Sequence, residues 1–268
     1  WNISDPCWAE TNAAVLGAIG ERIEPGDIIG ITAGICQQSI VDAFPSHVVC
    51  EPGVGYDGVL LNTHWCVESF SHLHYLYGRY GISDGRWFDT VIPNPFDPAD
   101  YHLATQKEPF LLYMGRMTAR KGLEVVAELA KRHRVVTAGP GDPIPGAEHV
   151  GVVRGAEKAA LLAEARAVLV PTFYVEPFGG VAVEAMLSGT PVITSPFGAF
   201  SETVVDGVSG YRCHTISEFL SAAVAVDDLD PKEIRDYAMA RYTLDVAGKK
   251  YDAWLTRLTG LYDRGWYG

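Results

Sequence analysis

From Phe110 onward the chain alternates short apolar runs with helix-patterned segments, and few folds accommodate that rhythm. FLLYMG is an apolar run that stops at a glycine, and KGLEVVAELAKRH then carries helical periodicity. RVVTAGPGD reads as a second strand, closed by a Gly-Pro-Gly turn, and HVGVV as a third. EKAALLAEARA follows as a helix, AVLVPT as a strand, GGVAVEAMLSG as a helix and PVITS as a strand. Strands alternating with helices at this spacing predict an α/β fold with a parallel sheet covered on both faces. Such sheets bind ligands at the carboxyl ends of their strands, where the glycine turns fall here. ISEFLSAAVAV, DPKEIRDYAMARY and a long segment from Leu244 to Tyr262 make the C-terminal third helical.

The first 95 residues are less regular. GDIIGIT and HVVCE read as strands and ESFSHLHYLYG as a helix. VIPNPFDP, with prolines at 93, 95 and 98, cannot be a helix interior and reads as a linker. The sequence therefore predicts an N-terminal domain over 1–95 and a C-terminal domain over 96–242.

Composition narrows the partners. The 268 residues are 48% apolar and 20% charged, enough for the cores of two ordinary domains. A net charge of −12 argues against a broad nucleic-acid footprint or a basic membrane-docking face. No apolar run approaches the roughly 20 residues needed to cross a bilayer. Ala13 to Ile19 is the nearest N-terminal candidate for a signal peptide, and nothing basic precedes it. The five cysteines are scattered without a C-x-x-C pair, so a reducing cytoplasm is expected rather than a disulfide framework or zinc site. The chain opens at Trp1 rather than at a methionine, so a fragment or a trimmed chain is expected.

The stretch FYVEPFGGVAVEAMLSG concentrates the chemistry. Pro171 and Pro177 keep the backbone extended before Phe178, and Gly179-Gly180 allow a sharp turn into a helix. A helix start presents unpaired N–H groups and partial positive charge, suited to phosphate or sugar oxygens. Glu176 falls in the loop before that start. Glu184 falls five residues inside the helix, about 7 Å further along its axis. Two carboxylates so spaced can accept hydrogen bonds from hydroxyls at opposite ends of a ligand whose phosphates lie between them. Glutamates near a helix start are also stabilised by the macrodipole alone, so the stretch by itself leaves both readings open.

A second constellation is YMGRMTARKG. Arg116 follows the strand-ending Gly115, and Lys121-Gly122 open the next helix. Arg can grip a diphosphate bidentately and Lys adds a point charge, although most such side chains are simply solvated. Arg120 is adjacent and is the weaker candidate.

GRMTARKG, AGPGD, E-P-F-G-G-V-A-V-E, SGTPVITS and GAFSETVVDGVSGYRC stand in one order between Phe110 and Cys213. That region resembles the C-terminal domain of retaining glycosyltransferases of family 4. VIPNPFDPADY is similar to their interdomain linker, and the long C-terminal helix, 243–268, resembles the segment that crosses back to join their N-terminal domain. The resemblance implies a GT-B fold, two Rossmann-like domains facing a cleft, with an N-terminal domain that is short or truncated. It assigns Arg116 and Lys121, beside Gly115, to the donor diphosphate, Glu184 to the ribose hydroxyls and Glu176 to the transferred sugar. The amides of Phe178, Gly179 and Gly180 would meet sugar or phosphate, and Val153 to Lys158 would lie along the base.

Such an enzyme takes a nucleotide diphosphate sugar as donor substrate, not as a cofactor. Its acceptor is left open among saccharide, lipid and small molecule. No Asp-x-Asp metal motif is read in the sequence, so metal-independent transfer is expected. The family's mid-domain histidine is absent after HVVC, where Glu51 is only a positional substitute. His72 and His74 are more simply helix-surface or core histidines than cleft residues, and Tyr75, Tyr77 and Tyr80 a core stripe. A sugar-nucleotide epimerase of similar fold and a non-catalytic nucleotide-sugar-binding module are the rival readings.

Overall fold

The structure, a computed structural model, describes residues 2–264. Trp1 lies outside the described residues, as do residues 265–268, over which the C-terminal helix is expected to continue. Two compact units divide the chain. One takes the residues up to Pro93 and those from Gly248 onward, and the other takes Asn94–Ala247.

The first unit contains α1 (Cys7–Gly20), β1 (Ile28–Gly30), α2 (Gln38–Ala43), β2 (Val48–Val54), β3 (His64–Val67), α3 (Phe70–Arg79) and β4 (Thr90–Val91). Its four strands are parallel, in the order β1-β2-β3-β4. Ile29, Ile31 and Val49 pack with Val15, Leu16 and Ile19 of α1. Val54, Trp65 and Val67 pack with Leu73 and Leu76 of α3. The helix α3 begins cleanly because the Ser69 hydroxyl accepts from the His72 N–H at 3.1 Å, satisfying an amide that the helix cannot. His72 is buried and stacks on Tyr75, while His74 is exposed. Tyr75, Tyr77 and Tyr80 pack around the Trp65 cluster.

Glu51 is the main departure in this unit. It is fully buried, and its carboxylate accepts from the Tyr56 hydroxyl at 2.7 Å, the Leu60 N–H at 2.8 Å and the Thr63 hydroxyl at 2.6 Å. A substrate-facing substitute for a histidine would keep a free oxygen toward solvent. Glu51 instead holds the loop that leads from β2 to β3.

Replacing it with alanine removes the acceptor of three hydrogen bonds, of which the Thr63 hydroxyl can still turn to the Leu60 carbonyl at 2.8 Å, and each buried unsatisfied group costs about 1–3 kcal/mol. Glu51→Ala is therefore expected to destabilise the first unit by roughly 2 kcal/mol or more. All six tryptophans lie outside residues 94–247, so tryptophan fluorescence during urea unfolding reads this unit specifically. A midpoint unchanged from wild type would contradict the assignment.

The second unit continues with β5 (Glu108–Met114), α4 (Leu123–Ala130), β6 (Val135–Ala138), β7 (Glu148–His149), α5 (Gly155–Glu164) and β8 (Ala165–Val170). It closes with α6 (Gly180–Leu187), β9 (Val192–Thr194), α7 (Phe200–Thr203), β10 (Gly210–Arg212), α8 (Ile216–Ala225) and α9 (Pro231–Tyr242). A last helix, α10 (Leu244–Arg264), begins here and runs on into the residues assigned to the first unit.

All six strands are parallel, ordered β10-β9-β8-β5-β6-β7. The inner strands β5, β6, β8 and β9 are mostly apolar on both faces because both are covered. Leu111, Tyr113, Ala167 and Leu169 pack with α4 and α8 residues such as Val126 and Phe219. Leu112, Val168 and Val170 pack with Ala182, Met186 and Ile234 of α6 and α9. Each fully buried leucine or valine among them contributes about 1.5–3 kcal/mol.

HVGVV does not form a full strand. The strand itself is Glu148–His149; the Val150 N–H still donates to the Thr137 carbonyl at 3.0 Å and the Gly151 carbonyl accepts from the Gly139 N–H at 2.7 Å, where Gly151 turns the chain at φ 79°. An edge strand has one neighbour, and Val150 and Val152 remain exposed.

A literal Asp-x-Asp does occur, at Asp228-Leu229-Asp230. The Asp230 carboxylate caps α9 by accepting from the Lys232 N–H at 2.8 Å. The preceding Asp227 pairs with Arg166 near the amino end of β8. The glycine turns stand at the other end of that strand, about 20 Å away at roughly 3.3 Å per residue.

Candidate functional site

The order of the second sheet reverses at β5. Chain order runs β5-β6-β7 to one side, then returns to place β8, β9 and β10 on the other. Neighbouring loops therefore leave the carboxyl ends of β5 and β8 in opposite directions and open a crevice between them. A cavity of about 270 Å³ lies there. Gly115, Arg116, Lys121, Glu176, Gly179 and Gly180 line it, together with Thr172 and Val181.

The loop after β5 is held from below. The Gly115 N–H donates to the Ala138 carbonyl at 2.9 Å, the Met117 N–H donates to the Pro140 carbonyl at 2.9 Å, and the Tyr113 hydroxyl donates to the Arg116 carbonyl at 2.8 Å. These bonds leave the Arg116 side chain exposed at the rim, with no hydrogen bond or ion pair of its guanidinium among the described residues. Residues Ala119–Lys121 form a single 3-10 turn ending at Gly122, whose φ is 78°. That left-handed step brings Lys121 inward.

Lys121 meets Glu176 at 2.8 Å, and both side chains are only partly exposed. Burial disfavours the ammonium. The Glu176 carboxylate, with the Tyr174 hydroxyl beside it, outweighs that effect and raises the Lys121 pKa above the usual lysine value. Lysine has three N–H donors, so one bond to Glu176 leaves two for a ligand. Glu176 is itself pinned, because its carbonyl accepts from the Ala199 N–H at 2.8 Å.

The helix α6 starts at Gly179, with φ 79°, and a Cβ there would stand 2.3 Å from the buried Phe200 ring. Only glycine lets the chain turn so closely beneath the cavity. Phe178 points the other way. Its ring is buried, stacked against Phe96 with centroids 6.1 Å apart and edge-on to Tyr242. It anchors the turn through its ring, leaving only its backbone for a ligand.

Glu184 is 8% exposed and does not line this cavity. Its Oε1 accepts from the Tyr101 hydroxyl at 3.1 Å and from Lys158 Nζ. Tyr101 and Lys158 line a second cavity of about 510 Å³ against the first turn of α5. Val153 is half-buried in the loop before α5 and lines neither cavity.

Two contributors escaped the sequence reading. Tyr174 lies beside Lys121 and Arg120, with ring distances of 4.8 and 4.7 Å. Its position inside FYVEPFGG was a local signal. Tyr101 reaches Glu184 across 83 positions of sequence, and no local pattern marks it.

Glu176 thus lies in the cavity with Lys121, whereas Glu184 lies outside its lining, held by Tyr101 and Lys158. Lys121, Arg116 and the α6 start supply positive charge, while Glu176 and Glu184 supply acceptors for hydroxyls.

Residues 108–226 match the family described as Glycosyl transferases group 1. Glycogen synthase of Mycobacterium tuberculosis is 33% identical over 148 residues, covering 46% of this chain and 36% of that protein. The chain thus spans about a third of the length of that curated relative. Among solved structures, sucrose-phosphate synthase from Thermosynechococcus elongatus superposes with a TM-score of 0.78 at 18% identity, over 96% of this chain and 80% of that one. The Anabaena protein HepE, in complex with UDP-glucose, gives 0.70 at 16% identity, over 92% and 82%. The fold is the parallel α/β fold of the GT-B glycosyltransferases. No helix among the described residues is long and apolar enough to cross a membrane.

Proposed function

We propose that the chain is a retaining glycosyltransferase that moves a sugar from a nucleotide diphosphate sugar to an acceptor, with the donor site in the second unit. The observation that carries the reading is the convergence of Lys121, Glu176 and the α6 start on one cavity at the β5–β8 switch point. The named relatives and the UDP-glucose complex of HepE support the same class of donor.

In this reading Arg116 and Lys121 bind the diphosphate, and the α6 N–H groups meet its oxygens. Glu176 orients the transferred sugar and Glu184 holds the ribose. The bond from the sugar's anomeric carbon to phosphate oxygen breaks as the acceptor oxygen bonds that carbon on the same face. The acceptor's proton passes to the departing phosphate. Preorganised positive groups stabilise the charge that develops there, the task a metal performs in other transferases.

The test is product analysis with a panel of UDP-, GDP- and ADP-sugars, with and without excess chelator. Transfer, or slow hydrolysis that releases nucleoside diphosphate, is expected at equal rates in both arms. Abolition by chelator with rescue by Mg²⁺ or Mn²⁺ would overturn metal independence. An epimerised donor, or binding without turnover, would overturn the transferase reading.

A further inference from the structure

Glu184 is a buried carboxylate whose two oxygens are treated differently. Both protein donors, the Tyr101 hydroxyl at 3.1 Å and the Lys158 ammonium, bond to Oε1. Oε2 takes no hydrogen bond among the described residues. A buried carboxylate with one oxygen doubly held cannot swing, and it presents the other in a fixed direction. The ammonium also balances a charge that burial would otherwise make costly.

The three side chains come from separate elements. Glu184 stands on α6, Lys158 on the first turn of α5, and Tyr101 just after the 3-10 turn Pro98–Asp100. The Tyr101 ring is itself fixed, edge-on to Phe96 with centroids 6.1 Å apart. Burial, with the adjacent carboxylate, raises the phenol's pKa well above its ordinary value, so it remains a donor. Having given its proton to Oε1, its oxygen still accepts. Tyr101 and Lys158 both line the 510 Å³ cavity, a size within the range of small-molecule sites.

We propose that Tyr101 and Lys158 are positioning residues that hold Glu184 for the ribose diol, with the cavity they line receiving the nucleoside end of the donor. The inference rests on the donor-site reading above. One ribose hydroxyl donates to Glu184 Oε2 and the other to the Tyr101 oxygen, so the pair reads a diol rather than a single hydroxyl. Lys158 sets which carboxylate oxygen faces it.

The readout is discrimination between ribose and deoxyribose, which a merely structural role would not move. Calorimetry is run with UDP, GDP and ADP and with their 2′-deoxy counterparts. It uses the wild-type chain and the Tyr101→Phe, Lys158→Met and Lys158→Arg variants, with a thermal melt of each. Wild type is expected to prefer the ribonucleotide by tenfold or more. Tyr101→Phe and Lys158→Met are expected to bring that ratio toward one while leaving deoxynucleotide affinity within about twofold, and Lys158→Arg to restore part of it. An unchanged ratio in both, or equal losses for ribo- and deoxynucleotides, would overturn the inference. A wild-type chain that does not discriminate would instead remove the ribose assignment of Glu184, and this inference with it.

Discussion

Replacing Gly122 with alanine is expected to remove about 2–5 kcal/mol of stability, and nucleotide binding with it. Two costs add. At φ 78° an L-residue with a side chain carries about 1–2 kcal/mol of left-handed strain. The new Cβ would also stand 2.0 Å from the Pro171 carbonyl oxygen, a backbone atom at the end of β8 that cannot rotate away. Forcing the two apart is an overpacking change, typically about 1–3 kcal/mol.

The consequence is local as well as global. Gly122 sits between Lys121 and α4, and Pro171 begins the loop that carries Glu176, so the clash separates the two halves of the cavity. Gly17→Ala in α1 is the control, because its φ is ordinary and nothing lies within 4 Å of the added Cβ. There the substitution is expected to be neutral or to stabilise by about 0.5–1 kcal/mol. Far-UV circular dichroism during urea unfolding follows both units, and the part of the transition with no counterpart in tryptophan fluorescence belongs to the second unit, which lacks tryptophan. Equal midpoints for Gly122→Ala and wild type would contradict the geometry.

What could be read from the sequence was what is local. Apolar runs marked β5, β6, β8 and β9, the first two ending in glycine, because a strand covered on both faces needs apolar residues at every position. The turns marked Gly115, Gly122, Gly179 and Gly180, because a chain that bends so tightly has few alternatives to glycine. HVGVV misled for a physical reason: an edge strand needs fewer apolar contacts, and at Gly151 the backbone turns out of the extended conformation. At Glu51 the sequence marked only a position, because the partners that bury it, Tyr56, Leu60 and Thr63, stand 5, 9 and 12 residues further on.

Partner choice was the part the sequence hid. Lys121 meets Glu176 across 55 positions, Lys158 meets Glu184 across 26 and Tyr101 meets Glu184 across 83. Such pairs are set by strand order, and nothing in a local window records strand order. The switch point between β5 and β8 is where that order turns, and it decides which loops meet.

The central claim is that the two glutamates hold different parts of one donor, and nucleoside diphosphate calorimetry on their glutamine variants tests it. The diphosphate contains the ribose but not the transferred sugar. Glu184→Gln is therefore expected to weaken nucleoside diphosphate and nucleotide sugar alike. Losing a charged hydrogen bond costs about 1.5–3 kcal/mol, roughly ten- to a hundredfold in affinity. Lys121→Ala, which removes the cation at the diphosphate, should fall in the same range. Glu176→Gln keeps an acceptor for Lys121, so it is expected to bind nucleoside diphosphate as wild type does while turnover falls. Identical losses of nucleoside diphosphate affinity in Glu176→Gln and Glu184→Gln, or none in Glu184→Gln and Lys121→Ala, would contradict the account.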